Sequence, residues 1–182
     1  IWLVSSWMPM LHPGRPMFGR KQIDHTRYFY NQRYHQPGGN AVFLMLGGAG
    51  VLDIMWVYKE EIPFVHWAKE RGVLIFALEH RFYGKSRPTD TTSLKNLRLL
   101  NSRQAIEDIA MFIEKMNKKY KLEGPKWIVF GGSYAGQYTQ SKYRMRNQEE
   151  GGYAFTLKAI CNIMDDEYTD QLTFLAAIND AL

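Results

Sequence analysis

Lys126-Trp-Ile-Val-Phe-Gly-Gly-Ser-Tyr-Ala-Gly136 is the stretch from which the fold can be read. Its first half is a β-branched and aromatic run suited to a strand, stopped by Gly131-Gly132 ahead of a helix-compatible sequence. Strand, glycine turn, serine, small residue and helix is the order of a nucleophile elbow, Gly-x-Ser-x-Gly, here with Ala135 in place of the last glycine and Gly136 just beyond it. The small residues have a physical purpose. So sharp a turn strains the serine backbone and leaves no room for neighbours larger than methyl, and it exposes Oγ above the sheet at a helix N-terminus. Ser133 is the expected nucleophile, supported by Gly131, Gly132, Ala135 and Gly136; the alternative is a plain glycine-rich turn.

Upstream lie two more apolar runs, Ala41-Val-Phe-Leu-Met-Leu46, stopped by Gly47-Gly-Ala-Gly50, and Val73-Leu-Ile-Phe-Ala-Leu78, leading into Glu79-His-Arg-Phe-Tyr-Gly84. Strands apolar on both faces belong inside a covered sheet. Between them Trp56, Glu60, Phe64 and Trp67 recur at helical spacings, with Pro63 breaking or restarting the helix. From Asn101 onward Ala105, Ile106, Ile109, Ala110, Ile113 and Met116 share one helical face, with Asn101 and Gln104 as a cap pair. Strand alternating with helix predicts an α/β fold, a mostly parallel sheet with flanking helices and its function at the carboxyl ends of the strands.

The flanks are less regular. Arg15 to Gly39 is crowded with aromatics and closes in Gln36-Pro-Gly-Gly-Asn40, which reads as an extended edge element ending in a turn. After Ser133 a helix is expected towards Asn147, broken by Glu149-Glu-Gly-Gly152, with Phe155 to Ile163 as a further strand. The expected division is an extended segment over 1–40, a partial α/β core over 41–163 with the elbow at 131–136, and an acidic tail over 164–182.

Composition agrees with one ordinary domain: 182 residues, 46% hydrophobic, bury a substantial core. The formal charge of +5 is modest, and no basic block marks a nucleic-acid footprint. A single cysteine, Cys161, excludes an internal disulfide framework and a multi-cysteine zinc site. No run of 18 apolar residues occurs, so no membrane-spanning helix is expected. The opening Ile1 to Leu11 is short and apolar like the tail of a signal peptide, but it lacks an initiator Met and a basic n-region, so an intact signal peptide is not expected.

An elbow serine needs oxyanion donors and a base. The backbone N–H of Tyr134 is one donor, and Gly47-Gly-Ala-Gly50 stands where the loop carrying the other should be, at Gly48 or Ala49. The same loop lacks the Lys-Ser/Thr ending of a phosphate-binding loop. All five histidines (His12, His25, His35, His66 and His80) precede Ser133, whereas the chain order of such hydrolases is serine, acid, histidine. The catalytic acid and histidine are therefore read as absent from these residues, and Asp165, Asp166, Asp170 and Asp180 as surface or cap residues. His80 beside Glu79 invites a reading as base, but its position favours a structural pair supporting the site loop.

At this point the residues carry a resemblance. Tyr34 to Gly39, Phe43-Leu-Met-Leu-Gly-Gly48, Leu78-Glu-His-Arg-Phe-Tyr-Gly-Lys-Ser-Arg-Pro88, Asn96-Leu-Arg98, Ser102 to Asp108, Met116-Asn-Lys-Lys-Tyr120 and Lys126 to Gly136 together resemble the amino-terminal part of the family that holds lysosomal Pro-Xaa carboxypeptidase, dipeptidyl peptidase II and thymus-specific serine protease. The resemblance implies an α/β-hydrolase domain, cut here before a helical lid domain and before the acid and histidine. It implies a serine-type, proline-directed exopeptidase acting on peptide substrates through an acyl-enzyme, without metal or organic cofactor. A lysosomal, vesicular or extracellular setting and a homodimer in the full-length form are also implied. Ser133 matches the family's nucleophile. Ala49 replaces the glutamate of the family's Gly-Gly-Glu-Gly, and the stretch from Asp24-His25 to Tyr28 is shorter than in the family. Competing readings are another α/β-hydrolase such as an esterase, and a noncatalytic fragment or pseudoenzyme that binds a partner.

Overall fold

The computed structural model describes residues 18–23, 25–132 and 134–135. Among the described residues nine elements follow one another: β1 (Phe18–Ile23), β2 (Thr26–Asn31), β3 (Ala41–Leu46), α1 (Met55–Tyr58), α2 (Pro63–Arg71), β4 (Leu74–Leu78), α3 (Leu94–Leu97), α4 (Ser102–Tyr120) and β5 (Lys126–Phe130). The strands form one sheet in the order β1-β2-β4-β3-β5.

The three apolar runs become the parallel part of this sheet. β3 is central, paired in parallel with β4 on one side (Leu44 opposite Phe76) and with β5 on the other (Leu44 opposite Val129). Within the stretch read as one extended edge element, two antiparallel strands form instead. β1 takes the edge, and β2 lies inside against β4, with Tyr28 opposite Leu78. Ile23 pairs with Thr26, and His25 just before Thr26 has φ 64°.

Both faces of the sheet are covered, which is why β3 and β4 have no polar face. Tyr28, Val42, Leu44, Phe76 and Trp127 point to one side and pack on Ile109, Phe112, Ile113 and Met116 of α4. Phe29, Phe43, Ile75 and Phe130 point to the other and pack on Val57 of α1 and on Phe64, Val65 and Ala68 of α2. Phe112 completes the expected stripe of α4, edge-on to Phe76 with 5.5 Å between ring centroids. Pro63 stands at the first position of α2, so it restarts the helix rather than breaking it. At the start of α4 the Gln104 N–H donates to Asn101 Oδ1 at 3.0 Å, as the cap pair predicts. The Gln104 side chain does not complete that box; it turns to Arg81.

The connection leaving β3 crosses the α1–α2 face, and α4, in the connection leaving β4, covers the opposite face. Adjacent strands whose crossovers diverge leave a crevice at their carboxyl ends, and ligands of open α/β sheets bind there. The loops after β3, β4 and β5 meet at this crevice.

Candidate active site

β5 ends at Phe130, Gly131 is buried, and Tyr134 and Ala135 are helical after the turn. The Ala135 N–H donates to the Gly132 carbonyl at 3.1 Å, closing the strand-to-helix bend. Ala135 is 0% exposed and packs into the α4-side core. Its methyl is thus accommodated at the position where the elbow pattern has glycine. Ser133 and Gly136, the expected nucleophile and the glycine beyond it, lie outside the described residues, as do the expected helix towards Asn147, the strand over 155–163 and the tail.

The loop after β3 reaches this bend. A Cβ added at Gly48 would stand 4.0 Å from both Ala135 N and Gly132 O, so the two loops lie side by side at backbone distance. Gly47 is tighter: a Cβ there would lie 3.2 Å from Leu78 O and 3.3 Å from both Glu79 Cα and His80 N. The Gly47 N–H also donates to Leu78 O at 2.8 Å, which ties the loop to the end of β4. Ala49 is exposed. Gly48, Ala49 and the Tyr134 backbone are therefore brought to one end of the sheet.

Glu79 and His80 both support these loops, through separate partners. Glu79 is 1% exposed and ion-paired with Arg27 of β2. Its carboxylate also accepts from Leu52 N at 3.2 Å, Lys85 N at 2.9 Å and Ser86 Oγ at 2.8 Å. Gly84, at φ 52°, closes over the pair, and a Cβ there would fall on the carboxylate. The His80 ring nitrogen Nδ1 is 2.8 Å from the Arg81 carbonyl. A carbonyl only accepts, so Nδ1 carries the proton and donates it. The ring packs against Tyr83 at 5.3 Å and Tyr134 at 5.4 Å between centroids.

Arg81 fastens this segment to α4. Its Nε and NH2 each donate to Asp108 at 2.6 Å, and NH1 donates to Gln104 Oε1 at 2.9 Å and Leu99 O at 3.0 Å. Asp108→Ala leaves a mostly buried guanidinium short of two charge-assisted bonds and is expected to cost about 2–3 kcal/mol, measured by denaturant unfolding. A loss under about 0.5 kcal/mol would contradict this clamp.

Burial lowers the pKa of His80 from its usual 6.5; the Arg81 charge adds to the shift, while the bond to the Arg81 carbonyl and the Asp108 charge oppose it. Burial lowers His35, between β2 and β3, in the same direction. As pH falls through about 6.5 the unfolded chain takes up protons that the folded chain refuses, so stability present above that pH is lost on acidification. Unfolding free energies at about pH 7.5 and about pH 5 are expected to show a smaller acid loss in the His35→Phe, His80→Phe double variant than in wild type. An equal loss in both proteins would remove these histidines as its source.

Arg27, Arg81, Ser86 and Asp108 are the supporting residues that sequence reasoning missed. Their signal was present in the motifs Leu78 to Pro88 and Ser102 to Asp108, but nothing in the spacing shows that Arg27 meets Glu79 across 52 positions.

A mostly parallel sheet with flanking helices, whose glycine turn after β5 lies beside the loop after β3, is the arrangement of an α/β-hydrolase-like fold. Comparison with known proteins is specific: the sequence pattern of serine carboxypeptidase S28 matches residues 20–142, and the chain belongs to that family. It is 43% identical over 121 residues to the Caenorhabditis elegans protein K12H4.7, covering 64% of this chain and 24% of that protein. It is 35% identical over 111 residues to human thymus-specific serine protease (60% of this chain, 21% of that protein). It is 34% identical over 135 residues to human lysosomal Pro-X carboxypeptidase (66% and 27%). The chain thus spans about a quarter of the length of the relatives it matches. Among solved structures it is similar to TT1662 from Thermus thermophilus, at 16% identity and TM-score 0.45, covering 69% of this chain and 50% of that one. Among the described residues no group of three His, Cys, Asp or Glu side chains is placed to hold a metal ion, and no helix is long and apolar enough to cross a membrane.

Proposed function

We propose that this chain is the nucleophile-bearing part of a serine-type exopeptidase that acts on proline-containing peptides through an acyl-enzyme. The observation that supports the reading is the approach of Gly48 to the backbone of Gly132 and Ala135, since an oxyanion loop would have to lie beside the elbow in this way. Ser133 Oγ attacks the scissile carbonyl, and a histidine later in the protein takes its proton. The Tyr134 N–H and an N–H of Gly48 or Ala49 receive the developing negative charge; the scissile C–N bond breaks as that histidine returns the proton to the departing amine, and water, deprotonated by the same histidine, then hydrolyses the acyl ester and frees Ser133 Oγ. Membership of the family supports the peptide substrate class. The name of one relative, lysosomal Pro-X carboxypeptidase, supports the proline preference and a lysosomal setting.

The test uses the longer protein that contains these residues, treated with a fluorophosphonate and mapped by peptide mass. Label on Ser133, together with hydrolysis of an Xaa-Pro amide, is the expected result. Hydrolysis of short acyl esters alone would favour an esterase. An unlabelled Ser133 in a folded full-length protein would favour a noncatalytic binding role.

A further inference from the structure

We propose that His80 is a positioning residue for the oxyanion hole: its ring holds Tyr134, and through Tyr134 the backbone N–H that meets the developing charge. The inference rests on the reading of Ser133 as nucleophile given above. Its grounds lie at the exit of β4, where one short segment touches both halves of the hole. On one side His80 N is 3.3 Å from where a Cβ on Gly47 would stand, and Gly47 N–H is bonded to Leu78 O, so the oxyanion loop leans on this segment. On the other side the His80 ring meets the Tyr134 ring at 5.4 Å between centroids.

The segment is tied down at the next residue. Arg81 makes four donations to α4 and to the Leu99 carbonyl, and its own carbonyl receives the His80 Nδ1–H at 2.8 Å. That bond fixes the rotation of the imidazole, and Tyr83 meets the ring edge-on at 5.3 Å between centroids. Tyr134 is thereby referred, through one ring contact and one hydrogen bond, to the long helix α4. Preorganisation of this kind is what an oxyanion donor needs, because its value lies in not having to reorient when charge appears.

The test again uses the longer protein and a fluorophosphonate, whose phosphonyl oxygen takes the place of the oxyanion. Labelling is separated into the affinity for the probe and the maximal rate of phosphonylation. His80→Asn keeps an N–H for the Arg81 carbonyl and removes the ring; the maximal rate is expected to fall about 10- to 100-fold with the affinity within about threefold. Tyr134→Ala is expected to show a similar fall, and the double variant little more than either, because both remove one contact. His80→Phe keeps a ring of similar size but loses the bond to the Arg81 carbonyl, and its rate is expected to fall between wild type and His80→Asn, about three- to tenfold below wild type.

Wild-type labelling by His80→Asn, or losses that simply add in the double variant, would overturn the proposal. So would a His80→Phe protein that melts like wild type yet labels about 100-fold slower. If His80→Asn does not fold, the His80→Phe and Tyr134→Ala results decide the matter alone. A Ser133→Ala protein that still takes label at this site would instead sink the nucleophile assignment, which separates the two failures.

Discussion

Glu79→Ala is expected to destabilise the protein by about 3–5 kcal/mol, enough to unfold a typical domain at 37 °C. The size follows from what the carboxylate leaves behind. Arg27 would be stranded as a largely buried guanidinium, and the Leu52 and Lys85 amides and the Ser86 hydroxyl would each lose an acceptor. Removing one member of a buried pair costs far more than the pair contributes, because the partner is left desolvated and uncompensated. Equilibrium unfolding in urea measures it, with Glu79→Gln as the partner variant. The amide keeps an acceptor oxygen but not the charge, so it is expected to fall between wild type and Ala. A Glu79→Ala protein within about 1 kcal/mol of wild type would show that the ion pair and its three neutral donors are dispensable.

Ser133→Ala in the longer protein is expected to lower the rate of peptide hydrolysis by about a million-fold and to abolish fluorophosphonate labelling, while leaving the melting temperature within a degree or two. Both outcomes come from one atom. Without Oγ there is no nucleophile to acylate, and the change removes a single oxygen atom from a side chain that such an elbow presents above the sheet rather than in the core. The 182-residue chain alone is expected to be inert towards the same probe, since every histidine in it precedes Ser133, against the serine, acid, histidine order of such hydrolases. Turnover by the 182-residue chain that depends on Ser133 would mean that a base had been found among those histidines, and His80 would be the first to replace.

The legible part of the molecule was the part governed by local pattern. Unbroken apolar runs announce strands covered on both faces, and Ala41–Leu46 and Leu74–Leu78 are such strands. A stripe at helical spacing behind Asn101 announces α4, and the glycine turn after Phe130 announces the bend at the site. The hairpin was harder to read. Tyr28, Phe29 and Tyr30 in succession give no alternation, because β2 too is covered on both faces by helices that follow it in the chain. Gln104 shows the limit at the level of one side chain. Its local spacing from Asn101 is that of a capping box, and a guanidinium from a distant loop outcompetes the cap for its oxygen. Arg27 and Glu79 are invisible for the same reason, as their partnership exists only once β2 has inserted beside β4.

The closed loop from Glu79 to Ser86 also bears on how the chain tolerates changes of length. Its two ends are joined by the bond from Ser86 Oγ to Glu79, and its interior holds Gly84 pressed onto the same carboxylate. An inserted residue has nowhere to bulge: it would lift Gly84 off the ion pair or pull Ser86 from its acceptor. At the β1–β2 connection Ile23 pairs with Thr26, and residues added between them lengthen the connection while the pairing of β1 with β2 continues behind it. Variation in loop length is therefore expected to gather at the far tip of the hairpin and to stop short of the turn that follows β4.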